Sequence, residues 1–302
     1  MALSPVPKTC PLPTGHRADE VNRQADRGEP AGAAPGDLVS RAVAIVRTAD
    51  LGAKIAMAKA TARDWHHGRL SVRGAASATL RPPANPGRPD HPRLLAPRDM
   101  PKRSAKGAAG RIAMLHALAH IELAAVDLMW DLIARAPRSA PRAMLHDFVR
   151  VAVEEAKHFD LLQRRLTVLG SHYGALPAHD GLWQAAQSAG DNYLARVAII
   201  PLVLEARGLD VSPGMIRQLE GAGDQDSARI LTIIYDDEKR HVAFGLKWFR
   251  HFCARGQLPL EPTFHRLIRT HFRGAIRPPF NDAARAQAGL APGFYKPLAA
   301  FG

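Results

Sequence analysis

Apolar residues recur three and four positions apart along most of the chain, the spacing of one face of an α-helix. Two short runs, about 37 to 47 and 50 to 67, carry this pattern first. Four long runs follow, at about 105 to 135, 141 to 169, 181 to 207 and 225 to 255. Residues 261 to 273 give one further helix. No useful stretch alternates apolar and polar positions, so the pattern predicts an all-α chain.

Breakers divide the runs. Pro137 and Pro141 separate the first two long helices, Gly170, Gly174 and Pro177 end the second, and Gly208 is expected to end the third. Ser212 reads as an N-cap with Pro213 at the first position of a short helix before the fourth long one. Seven prolines in RPPANPGRPDHPRLLAPRDMP, residues 81 to 101, forbid helix or central strand and leave a long loop of the kind that covers a surface or a site. The expected organisation is a disordered N-terminal arm over 1–36, accessory helices and the Pro-rich loop over 37–110, a four-helix bundle over 111–256, and a C-terminal helix with an irregular tail containing RPPFN over 257–302.

Each long helix carries one acid where its apolar stripe should run. Glu122 is flanked on its face by Leu115, Leu118, Ala119, Ala125, Val126 and Met129, and Glu155 by Phe148, Val151, Ala152, Phe159 and Leu162. Glu205 shares a stripe with Leu194, Ala198, Pro201 and Leu202, and Glu238 with Leu231, Ile234, Val242 and Phe249. These carboxylates therefore point inward. Burying four of them unpaired carries a penalty of several kcal/mol each, and no lysine or arginine is placed on those stripes to offset it. His158 and His241 stand three residues after Glu155 and Glu238, on the same helix faces.

One Glu from each of two helices and Glu-x-x-His from each of the other two is the di-iron or di-manganese site of ferritin-like bundles. Here the set reads Glu122, Glu155, His158, Glu205, Glu238 and His241, and both Glu122 to Glu155 and Glu205 to Glu238 span 33 residues. The competing reading, a surface ion lattice with Lys157, Lys239 and Arg240, requires basic residues on the inward faces, and they fall on the other sides. Glu154 and Asp237 each precede a ligand Glu and are candidates to orient a ligand His from behind. His120, Tyr235 and Arg207 are further candidates near the site, His116 and His120 being more ordinary as core histidines. Pro201 should kink the third helix and open room beside the metals.

Composition adds limits. With 302 residues and 46% hydrophobic content the chain can bury one large core. Cys10 and Cys253 are its only cysteines, which excludes a disulfide framework or thiolate cluster and fits a reducing compartment. No run of 18 uninterrupted apolar residues and no signal pattern occurs, so a cytoplasmic protein without a membrane partner is expected. The net charge of +13 is concentrated in residues 1 to 110, with 18 Lys/Arg against 9 Asp/Glu, yet without a dense basic run; a nucleic-acid partner is a weaker possibility than solvated surface.

The motifs HALAHIELAAVDL, VAVEEAKHF, YGALPAHDGLW, PLVLEARGLDVSP, DDEKRHVAFGLKWF and RPPFNDAARAQAGL resemble the ferritin-like family called domain of unknown function 455, from about residue 38 to residue 298. The resemblance implies a ferritin-like fold and a di-metal centre, and it implies no defined substrate. DEKRH also resembles the fourth-helix motif of bacterial di-iron monooxygenases, and the bundle is similar in outline to di-iron tRNA hydroxylases.

Oxygen and nitrogen ligands suit two Fe(II), with Mn(II) possible. The expected function is that of an O2-activating oxidoreductase, hydroxylating or desaturating a small-molecule organic substrate with electrons from a donor protein. Loop 81 to 101 and the RPPFN segment are the expected lids. The alternatives are an iron-oxidising or iron-storing protein, or an RNA-modifying hydroxylase.

Overall fold

The computed structural model describes residues 36 to 299 apart from residue 76. The N-terminal arm expected over 1–36 lies, but for Gly36, outside them. Among the described residues the regular structure is helical, with two isolated bridges, Leu94 to Ala178 and Ile276 to Ala299, and no strand. The chain is all-α, as its periodicity requires.

Two capped helices begin it. Asp37 accepts from the Ser40 backbone N–H at 2.9 Å to start α1 (Leu38–Arg47), and Asp50 accepts from Ala53 at 2.7 Å to start α2 (Leu51–His66). α1 packs on α3 (Ala108–Ala134) and α2 on α4 (Arg142–Val168), the two longest partners in the bundle's first hairpin. Lys54 of α2, buried, pairs with buried Asp127 of α3 and donates to the Gly87 carbonyl at 3.0 Å. Among the described residues, α3 is the one helix long and apolar enough to pass for a membrane span. Two thirds of it is buried inside the bundle, and it carries buried Glu122, Asp127 and Asp131, so its apolarity is that of a core helix.

The Pro-rich loop 81 to 101 is fixed along the outside of this hairpin. Gly87 sits where a Cβ would lie 2.1 Å from the Arg47 carbonyl oxygen, a close approach open only to glycine. Arg135 donates to the Pro83 carbonyl at 3.1 Å, Trp183 to Ala84 at 2.9 Å, and Arg88 pairs with Asp180.

The third long helix departs from expectation. The run 181 to 207 breaks after α5 (Gly181–Gln187), where Gly190 turns at φ +56°, and restarts at α6 (Tyr193–Ile199) under an Asn192 cap. From there a π-helical segment, Ile200–Glu205, leads without interruption into α7 (Ala206–Gly221). Gly208 therefore does not end a helix, and Ser212 and Pro213 are interior rather than a cap and a first turn. The reason is tertiary. Pro213 cannot donate to the Leu209 carbonyl one turn back, and Asn281, far along the chain, supplies that hydrogen bond at 3.1 Å.

The fourth long helix, α8 (Gln225–Arg255), starts under Asp224 and pairs with α7 and α4. After α9 (Leu260–His271) a strap, residues 272 to 281, crosses α7. The tail beyond it is not irregular, because it forms α10 (Asp282–Gln287) and α11 (Pro292–Tyr295).

Candidate metal centre

Four helical segments each deliver one carboxylate to the same buried point. Glu122 comes from α3, Glu155 from α4, Glu205 from the last position of the π segment and Glu238 from α8. His158 and His241 follow by one helical turn. Their donor atoms form two groups, Glu122, Glu155, His158 and Glu238 in one and Glu205, Glu238 and His241 in the other, each with its atoms within 4.8 Å of one another. Such a buried Glu and His cluster can hold a metal ion.

The contacts are close and poorly satisfied. His158 Nδ1 lies 3.2 Å from Glu122 Oε2 and 3.4 Å from Glu155 Oε2. His241 Nδ1 lies 2.8 Å from Glu155 Oε1 and 3.8 Å from Glu238 Oε2, out of hydrogen-bonding alignment. Glu155 Oε1, both oxygens of Glu205, Glu238 Oε2 and His241 Nδ1 are buried without a hydrogen-bond partner. Orphaned lone pairs converging in a protein interior are expensive unless a cation meets them, so the residues present fit a metal.

Behind each imidazole stands an acid from the opposite helix. His158 Nε2 donates to Asp237 Oδ2 at 3.0 Å, and His241 Nε2 donates to Glu154 Oε2 at 2.9 Å. Because an ionised carboxylate only accepts, each ring donates to its outer acid through Nε2–H and turns Nδ1 toward the cluster, where it is free to ligate once its own proton is lost. Arg240 ties the two acids together, at 2.9 Å from Glu154 and 2.6 Å from Asp237. The basic residues of the surface lattice thus join the outer acids only.

Electrostatics follow from this layering. Burial pushes Glu122 up to about 7 and Glu205 up to about 8, and burial with the neighbouring Glu155 charge lifts Glu238 well above the usual carboxylate range. Glu155 behaves oppositely: burial would raise it, but the His241 charge and the contact with His158 hold it far below. Burial would also lower both histidines, yet hydrogen bonds to Asp237 and Glu122 carry His158 up to about 12, and the Glu155 charge with the Glu154 bond lifts His241 likewise. The bond from His158 keeps Asp237 well below its ordinary value.

Three other candidates lie away from the cluster. His120 spends both ring nitrogens on the 170s loop, 2.8 Å from the Tyr173 hydroxyl and 3.2 Å from the His179 carbonyl, and His116 accepts from the Gly174 N–H at 2.9 Å. The Tyr235 hydroxyl accepts from Asn281 at 3.1 Å, with Lys239 over its ring. Arg207 lies on the strap, donating to the carbonyls of Arg277 at 2.9 Å and Pro279 at 3.2 Å.

A cavity of about 360 Å³ adjoins the cluster and includes Glu122, Glu205 and Glu238 in its lining. The remaining walls are mainly aliphatic. Its exposed lining residues, Ala275 and Arg277, both belong to the strap, so the opening to solvent lies there. Loop 81 to 101 takes no part in it; the RPPFN segment does. Gly208 also lines it, leaving space where a Cβ would come within 3.7 Å of Glu238 Cγ. Besides the aliphatic neighbours of each glutamate, the sequence signal for this cavity was Pro201, expected to open room beside the site; the π segment that contains it lines the cavity with Ile200, Leu202, Val203 and Leu204.

Residues 47–296 match the family described as Protein of unknown function (DUF455). The chain belongs to that family. A Haemophilus influenzae protein described as "Uncharacterized protein" is 39% identical to this DUF455 chain over 212 residues, covering 67% of this chain and 72% of that one. No solved structure matches the DUF455 chain.

Proposed function

We propose that this DUF455 protein is a ferritin-like di-metal carboxylate protein, with iron as the first choice and manganese as the alternative, that oxidises a small organic substrate with O2. The observation that carries the reading is the set of buried, partnerless oxygen and nitrogen atoms from Glu155, Glu205, Glu238 and His241, walled on one side by an apolar cavity. Glu122, Glu155, His158 and Glu238 would hold one ion, and Glu205, Glu238 and His241 the other, with Glu238 common to both and Glu155 within 2.8 Å of His241. When bound, such a pair supplies redox chemistry toward O2 that no side chain here possesses.

The chain's own part is positioning and exclusion. Asp237 and Glu154 fix the imidazoles so that both Nδ1 atoms face the carboxylate cluster, where they would meet the ions, and Arg240 fixes Asp237 and Glu154. Glu122, Glu205 and Glu238, whose hold on a proton burial strengthens, and the two histidines, raised by the acids around them, would release protons for ions to bind. The aliphatic walls keep water from the reacting centre, and the strap controls entry. An apolar antechamber favours an organic substrate over iron storage, which needs a polar path for ions.

The test is elemental analysis of protein purified without added metal, beside a Glu155→Ala/Glu238→Ala variant. The reading expects about two iron or manganese ions per chain in the parent, few in the variant, and O2 consumption by the reduced parent. A folded parent that holds no metal and takes up no Fe(II) anaerobically would overturn it.

A further inference from the structure

The cavity has a chemical polarity along its length, and that polarity names a class of occupant. At its inner end lie the buried carboxyls of Glu122, Glu205 and Glu238; between these and the strap the lining includes Leu118, Leu202, Val203, Leu231 and Ile234. At the mouth the charges are cationic. Asp210 is neutralised by buried Arg285, whose Nε and Nη2 donate to its two oxygens at 2.8 and 2.7 Å. Arg207 reaches Asp210 only at 3.5 Å and is otherwise bound to neutral carbonyls. Arg277 is exposed and, among the described residues, has no carboxylate partner. One carboxylate against three guanidiniums leaves the opening positively charged.

We propose that this cavity binds a medium-chain organic anion, its charged head at Arg277 beside Arg207 and its apolar chain running inward, so that the end remote from the head lies against the carboxylate cluster. The volume sets the length. At about 30 Å³ per water-sized group, 360 Å³ accommodates about a dozen heavy atoms, the size of decanoate. The inference deepens the oxidase reading and rests on it only for what happens at the inner end; binding itself stands on the cavity and its mouth. An amine head is disfavoured at the mouth by like charge, and an uncharged chain gains no charge-assisted contact there. The head chemistry, an anion that a guanidinium can grip, is shared by carboxylates and phosphate monoesters.

Calorimetric titration of the full chain, both as purified and after chelator treatment, with decanoate, decyl phosphate and decylammonium tests this. Either anion should bind at least about tenfold more tightly than the ammonium, and the tighter of the two identifies the head. In Arg277→Glu, which leaves two carboxylates against two guanidiniums there, the preference for the anion should collapse while decylammonium binding strengthens, an outcome that a merely damaged protein does not give. Ala125→Phe, on the buried wall, should shift the preferred chain to a shorter acid such as hexanoate. Equal binding of anion and cation by the parent, or an unchanged preference in Arg277→Glu, overturns the proposal. Loss of anion binding on chelation places the head on the metals instead, which also overturns it. Metal content measured on the same samples separates the two readings: bound metal without decanoate binding refutes the cavity assignment alone, and decanoate binding without metal uptake refutes the metal centre alone.

Discussion

The two histidines of the cluster are braced crosswise, His158 of α4 by Asp237 of α8 and His241 of α8 by Glu154 of α4. Each brace does two things at once: it holds a ring proton on Nε2 and it couples the two helices through the ring. Asp237→Asn keeps the shape but removes the charge that makes Nε2–H the better donor, and Glu154→Gln does the same for His241. Each substitution should weaken Fe(II) or Mn(II) binding roughly 10- to 100-fold, read by competition with a chelating dye. Unchanged affinity in both variants would mean the acids belong to the Arg240 lattice and not to the site. The inward Glu-x-x-His pairs were legible because their spacing is local to one helix. The braces were readable only as candidates, since their partners lie 79 and 87 residues away. His120, near Glu122 in sequence and read as more ordinary in the core, finds its partners in the 170s loop.

At the level of elements, Asn281 replaces what Pro213 removes. Its amide donates to the Leu209 carbonyl and to the Tyr235 hydroxyl, while its side-chain oxygen caps α10 through the Ala284 N–H at 3.1 Å. Asn281→Ala should therefore lower stability by about 1–2 kcal/mol, measured by urea unfolding. Adding Pro213→Ala should recover part of that loss, because position 213 then offers its own N–H to Leu209. Strict additivity of the two changes would refute the compensation. The same logic explains why α7 was misread as a break. Gly208 and Pro213 are genuine local stop signals, but a packed strap overrules them, and no window of sequence around residue 210 contains Asn281. The π segment was half legible: Pro201 announced a distortion, but its form depends on Gly245, where a Cβ would lie 2.3 Å from Pro201 Cβ. With that glycine, α8 approaches close enough for the widened turn to carry Glu205 to the cluster.

For the whole molecule, the cluster sets function against stability. Folding without metal brings Glu122, Glu205 and Glu238 out of water, where burial raises Glu122 to about 7, Glu205 to about 8 and Glu238 well above its ordinary value, while the histidines are raised by the acids around them. Both kinds of group bind protons more tightly folded than unfolded. Their stabilising contribution is complete below the unfolded values, near 4.5 for glutamate and 6.5 for histidine, and is lost as pH rises toward the folded ones. Glu155 and Asp237 shift downward, so their contribution is already complete above about pH 5 and adds no slope there. Metal-free protein should therefore lose thermal stability between about pH 5 and pH 8. Metal requires the deprotonated ligands, so the rise in melting temperature on adding Fe(II) or Mn(II) should grow over the same interval. A Glu122→Leu/Glu205→Leu variant, with two buried acids removed, should melt above the metal-free parent at pH 8 and gain little from metal. Scanning calorimetry of the three samples at pH 5.5 and pH 8 decides it: parallel melting curves at both values would show that the carboxylates are held by protein contacts alone.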